Sequence, residues 1–213
     1  MDLDAVEVRV LGCLIEKQRT TPDVYPLSLN SLRAACNQST NRDPVVSYDE
    51  EAIRDALHRL GRRRWTRFAS GARAAKYRHL LDETPGLTVE EQALLSIPML
   101  RGPQTPGELR QRVDRLYSFP DQAAFQATLD RLIERGFIAR HARRPGQKEE
   151  RYAHRLSEDL EDDAAPTTPA PAPFQPAAPA PRSDVARIDE LEREVAALIA
   201  QVAELRAAVG LDD

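Results

Sequence analysis

Apolar residues recur along this chain at helical spacing in blocks, each bounded by proline, glycine or a short polar turn. From Leu3 to Gln18, Val6, Val10, Leu14 and their apolar neighbours predict a helix with a broad buried stripe. Pro22 and Pro26 fix φ and predict an extended connector from Thr21 to Pro26. Ser28 then suits the N-cap of a short helix carrying Leu29, Leu32 and Cys36 on one face, and Asn37 suits its left-handed stop. A polar turn runs from Asn37 to Arg42, and Pro44 blocks helix until Ser47. Ser47-Tyr48-Asp49-Glu50 reads as a capping box for a helix through Ile53, Leu57 and Leu60 that ends near Gly61. The alternating runs 65–68 and 75–80 flank Ser70-Gly71, a turn signal, and predict a hairpin.

The same order then returns. Thr88-Val89-Glu90-Glu91 and Thr105-Pro106-Gly107-Glu108 are capping boxes, the second with proline at the favoured first helical position. A helix from about Pro120 to Arg135 carries Phe125, Leu129 and Leu132, with Gly136 at its end. Runs at 137–140 and 150–154 flank Pro145-Gly146 and predict a second hairpin. The expectation is a mainly α chain with small β-hairpins (α+β): two tandem winged-helix domains, residues 1–82 and 83–156.

Beyond them the composition changes. Residues 157–183 open with an acidic run and hold seven prolines between Pro166 and Pro181, which predicts a disordered Pro/Ala linker. Within 184–211, Ile188, Leu191, Val195, Leu198, Val202, Leu205 and Val209 alternate spacings of three and four, the seam of a C-terminal coiled-coil helix. β-branched residues at one seam position and leucine at the other favour a parallel homodimer through 188–209. A lone amphipathic helix docked on its own chain is the competing reading.

Charge divides the chain along the same line. The net charge of −4 splits into +5 over residues 1–156 and −9 over 157–213. The mildly basic part permits nucleic-acid binding without establishing it. No apolar run approaches membrane-spanning length and no apolar leader is present, so a cytoplasmic, non-membrane protein is expected. Cys13 and Cys36 fall in apolar helical settings and read as buried small hydrophobes.

From Arg54 to Arg78, nine basic residues stand against Asp55 alone. Arg59, Arg62, Arg63, Arg64, Arg67, Arg73, Lys76 and Arg78 would form a cationic ridge along the end of the third helix and the first wing, suited to phosphates. A solvated face with ordinary ion pairs is the plainer reading. Asn37, Gln38, Asn41 and Arg42 offer bidentate groups for base edges, or equally local bonds that stabilise a turn. Asp49, Glu50 and Glu51 at the start of the third helix would repel phosphates, so its C-terminus, the preceding turn and the wing should carry any contact. Arg143, Arg144 and Lys148 give the second hairpin a weaker version of the ridge, offset by Glu149 and Glu150.

The histidines, at 58, 79, 141 and 154, lack zinc spacing, and no phosphate loop, nucleophile elbow or carboxylate constellation appears. No enzymatic activity and no cofactor are expected. The stretch Thr21 to Val45, TPDVYPLSLNSLRAACNQSTNRDPV, closely resembles the signature of the YceH-like family of bacterial tandem winged-helix proteins. Pro145 to Tyr152 matches the family's second-wing pattern, while Ser39-Thr40 stands where Lys-Ser is expected, removing one phosphate contact. The resemblance implies two winged helices in one chain and supplies no operator, substrate or cofactor. Double-stranded DNA is the expected partner in a regulatory role, with a protein-interaction adaptor as the alternative.

Overall fold

Asp4 starts the first helix, accepting the Glu7 N–H at 2.8 Å while the Glu7 carboxylate takes the Asp4 N–H at 3.0 Å. Helix α1 then spans Ala5–Thr20. The computed structural model describes residues 2–70, 75–141 and 149–157, and the proposed linker and coiled coil lie outside them. The described part is α+β, with six α-helices and small antiparallel sheets, as the sequence predicts.

The connector after α1 differs from expectation: Pro22–Val24 forms a 3₁₀ turn, because proline is tolerated at a helix start and the Tyr25 N–H closes the turn on the Pro22 carbonyl at 3.1 Å. Leu27–Ser28 is an unforeseen short strand, β1, and Ser28 caps α2, Leu29–Cys36. Asn37 ends that helix at φ −94°, so it is not left-handed; Asn41 is, at φ 61°. The cap of α3, Glu50–Arg62, is Asp49 rather than Ser47, with the Ala52 N–H donating to it at 2.8 Å. The helix runs through Gly61, and the left-handed residue past its end is Arg64, at φ 61°. Strands β2, Thr66–Ser70, and β3, Ala75–His79, form the hairpin, and β1 adds to its β3 edge with Leu27 opposite Tyr77.

The second half repeats this order. Helix α4 is Val89–Arg101, α5 is Pro106–Val113 and α6 is Gln122–Glu134, capped by Thr88, Thr105 and Asp121. Strands β4, Ile138–His141, and β5, Arg151–His154, close it, and an isolated bridge from Gln104 to Tyr152 stands where β1 pairs in the first half. The repeat extends to single bonds. Trp65 N–H donates to the Leu60 carbonyl at 3.0 Å, and Phe137 N–H to Leu132 at 2.9 Å. Leu80 bonds back to Trp65, and Arg155 to Phe137, each at 2.8 Å.

Both halves share one apolar core that runs from Leu3 to Leu156. Its centre is the packing of α1 on α4, where Gly12 permits close approach. A Cβ at Gly12 would stand 2.9 Å from Leu100 Cδ2 and 3.3 Å from Met99 Cβ. Leu3 N–H donates to the Leu156 carbonyl at 2.8 Å, joining the first described residues to the last.

Candidate nucleic-acid interface

The turn after α2 is a junction of the fold. The Arg42 side chain is 0% exposed. Its Nε donates to the Ala35 carbonyl, Nη1 to the Asn41 carbonyl and Glu16 Oε1, and Nη2 to Glu16 Oε2 and Gln38 Oε1. Asn37 spends both ends of its amide on the Tyr48 backbone, donating to the carbonyl at 2.8 Å and accepting the N–H at 2.9 Å. Asn41 is exposed but takes a bond from Arg101 at the end of α4. Asp43 N–H donates to the Leu100 carbonyl at 2.9 Å, and buried Arg9 reaches the Cys36 and Pro44 carbonyls. Of the two readings of Asn37, Gln38, Asn41 and Arg42, these bonds match the local one. The polar residues of the signature stretch hold the turn against α1 and α4.

The ridge divides into bound and free cations, and the internal repeat shows which is which. Arg59 Nε lies 3.6 Å from Glu7 Oε1, and Arg131 Nε lies 3.4 Å from Glu91 Oε1. Arg63 donates to the Asp2 carbonyl, and Arg135 donates to those of Pro85 and Gly86. In each half, arginines from the third helix and its C-terminal end clasp the start of the first helix, so Arg59 and Arg63 have a structural task. Arg62, Arg64 and Lys76 differ: all three are exposed and none has a partner among the described residues. At the matching places the second half carries Glu134, Gly136 and Arg151, and Arg151 lies 3.8 Å from Glu108. Arg67 and Arg78 face each other across β2 and β3 and share Glu83, where the second half has Ala139 and Ala153.

Arg73, Arg143, Arg144 and Lys148 lie outside the described residues. In the second hairpin, Arg140 forks onto both carboxylate oxygens of Glu150, so the described cations there are engaged. The first hairpin also carries Phe68, 55% exposed, its ring edge-on to Tyr77 at 5.8 Å between centroids. Sequence reasoning passed over Phe68, Glu83 and Glu16, because cross-strand and through-space partners give them their roles.

The buried titratable groups serve the fold. His79 is pushed down to about 4 by burial; its Nε2–H donates to Gln18 Oε1 at 2.7 Å and its Nδ1 accepts the Leu81 N–H at 3.4 Å. His154 is pushed down to about 4 by the same cause and accepts the Leu156 N–H at its Nδ1. Cys13 and Cys36 are both free and buried, and donation of its S–H to Cys13, together with burial, raises the Cys36 thiol. Among the described residues no cluster of His, Cys, Asp and Glu could hold a metal ion, and no helix is long and apolar enough to cross a membrane.

Fold and surface together define an α+β chain of two like halves that differ at matched places, where among the described residues the first carries the unpaired cations Arg62, Arg64 and Lys76. Residues 3–147 match the family model described as "Protein of unknown function, DUF480", and the chain belongs to that family. It is 46% identical to a UPF0502 protein of Pelobacter propionicus over 98% of this chain and 95% of that one. Identity to a UPF0502 protein of Solibacter usitatus is 46%, covering 92% of each chain. Against one from Pseudomonas syringae pv. tomato it is 42%, covering 96% of this chain and 92% of that protein. The resemblance seen in Thr21 to Val45 is thereby borne out at the level of family.

Proposed function

We propose that this chain is a non-enzymatic, regulatory DNA-binding protein whose two halves are winged-helix domains, 1–82 and 83–156, with the first making the backbone contacts. The difference in charge between matched places carries the reading. Arg62, Arg64 and Lys76 are exposed cations without a partner among the described residues, whereas the second half places an acid, a glycine and an ion-paired arginine there. Cations that served only solubility would have no reason to stand unpaired at these three places in one of two like frames, whereas phosphate binding needs them unpaired. The acidic first turn of α3, with Asp49, Glu50 and Glu51, keeps the helix start away from phosphate. Contact therefore falls to the C-terminal end of α3 and the wing. The linker and a homodimeric coiled coil at 188–209 belong to the same proposal and would couple two such units by avidity.

The test is duplex binding by the full chain across a salt series. Replacing Arg62, Arg64 and Lys76 with Ala should flatten the slope of log affinity against log salt by about 0.9 per lost phosphate contact. A folded triple variant with unchanged affinity and slope overturns the reading. A protein-docking adaptor is the second reading, favoured by the exposed Phe68 ring. Partner capture that is insensitive to salt and abolished by Phe68→Ser would establish it instead.

A further inference from the structure

We propose that the outer face of the β2–β3 hairpin is a phosphodiester-binding seat formed by Arg67, Arg78 and Lys76, occupied in the free protein by the carboxylate of Glu83. This rests on the DNA-binding reading and goes beyond it by naming a site and its intramolecular competitor.

Strand register puts the three cations together. Arg67 lies opposite Arg78 and Ala69 opposite Lys76, so Arg67, Arg78 and Lys76 share one face of the hairpin. Two guanidinium groups directly across a strand pair repel each other unless an anion lies between them. Glu83, in the turn after β3, supplies it: Oε1 is 2.8 Å from Arg78 Nη2 and Oε2 is 3.4 Å from Arg67 Nη2. One carboxylate thus spans two arginines as the two non-bridging oxygens of a phosphodiester would.

The clasp is exchangeable. The Arg67, Arg78 and Glu83 side chains are 53%, 31% and 43% exposed, so water already competes for the pairs. Lys76 has no partner among the described residues and would add a third contact to an incoming phosphate. Lys76 is also paired with Ser28, the N-cap of α2. The second half shows what the frame looks like without a seat. Ala139 and Ala153 replace the two arginines, and Arg151, at the place of Lys76, is tied to Glu108 and the Pro103 carbonyl. Glu108 in turn stands where the first half has Ser31, so the frame itself does not require an acid or a cation there.

Glu83 would then set affinity as well as order the wing. DNA must displace a tethered anion, which weakens binding to any phosphate backbone. Glu83→Gln keeps the side-chain length and an acceptor while removing the charge. In the full chain, labelled duplex DNA should bind Glu83→Gln roughly three- to ten-fold more tightly than wild type, with a salt slope steeper by up to about 0.9. An R67Q/R78Q variant should bind more weakly than wild type, and adding Glu83→Gln to it should give no further gain. Thermal melting of each variant checks that the fold is kept. Wild-type binding with Glu83→Gln unchanged overturns the seat and leaves the DNA reading standing. Absence of duplex binding by wild type at low salt overturns both. Inorganic phosphate and phosphatidylserine vesicles are run beside the duplex, and a gain confined to either one also overturns the assignment.

Discussion

Arg42 donates to both carboxylate oxygens of Glu16, at 2.6 and 3.4 Å, from a side chain wholly enclosed by the protein. Glu16 also receives Arg115 at 2.6 Å, so one buried carboxylate ties the turn after α2 to the segment after α5. Removing Arg42 leaves Glu16 to Arg115 and strips the Ala35 and Asn41 carbonyls of their donor in the interior, at about 1–3 kcal/mol. Arg42→Ala is therefore expected to lower unfolding stability by that order, read from urea denaturation at neutral pH. Any fall in DNA binding by this variant should track the folded fraction. A stable Arg42→Ala protein that had lost DNA affinity would instead place Arg42 in the interface.

Gly12 gives a second structural prediction. In a helix interior Ala is normally better than Gly by about 1 kcal/mol. Here the added methyl would meet Leu100 Cδ2 at 2.9 Å and Cγ at 3.0 Å, and Leu100 is buried in the core where α1 crosses α4. The crowding should outweigh the propensity gain. Gly12→Ala is expected to lower the thermal midpoint slightly, and Gly12→Val to cost about 1–3 kcal/mol by overpacking. A rise in the midpoint with Gly12→Ala would show that Leu100 can move aside.

Elements written into local sequence were legible, and relations between distant residues were not. Thr88, Thr105 and Gly136 mark helix ends through spacing alone, and each stands at its expected place. The cap of α3 was misread because Asn37 holds the Tyr48 backbone in place, leaving Asp49 to bond the first turn. Asn37 and Asn41 are chemically alike, and it is Asn41, bonded by Arg42 and Arg101, that turns left-handed while Asn37 is held by Tyr48. The cationic ridge was legible as a count. Its division into Arg59 and Arg63 as clasps, and Arg62, Arg64 and Lys76 as free groups, depends on where the start of α1 lies in space.

The two buried histidines predict an acid-sensitive fold. Burial lowers both His79 and His154 to about 4, below the ordinary value of 6.5. A depressed folded value means the unfolded chain binds the proton more tightly. Stability from the neutral rings is thus fully present above pH 6.5 and lost as pH falls from 6.5 toward 4, by at most about 3 kcal/mol each. Asp82, Arg19 and Arg78 act on His79 more weakly than burial. Denaturation midpoints at pH 7 and 5 should therefore differ markedly. The double variant His79→Gln, His154→Gln should narrow the difference, since both rings accept a backbone N–H at Nδ1 that protonation would break. An equal loss in wild type and variant would assign the acid sensitivity to the carboxylates.

Arg64 offers the sharpest separation of stability from binding. It holds φ 61°, where its counterpart in the second half is Gly136 at φ 75°. A residue with a Cβ in that region is strained by about 1–2 kcal/mol, which glycine avoids at an entropic cost of about 0.5–1 kcal/mol. Arg64→Gly should therefore stabilise the fold by up to about 1 kcal/mol. The side chain is exposed and has no partner among the described residues, so no internal contact is lost with it. If Arg64 meets a phosphate, the same variant should bind duplex DNA more weakly, with a salt slope lower by about 0.9. The converse substitution, Gly136→Arg, should destabilise by a similar amount, which gauges the strain within the same chain. Urea denaturation and fluorescence anisotropy on one preparation read both quantities. A variant that gains stability and keeps full DNA affinity would remove Arg64 from the interface. One that loses stability would show that its side chain supports the turn.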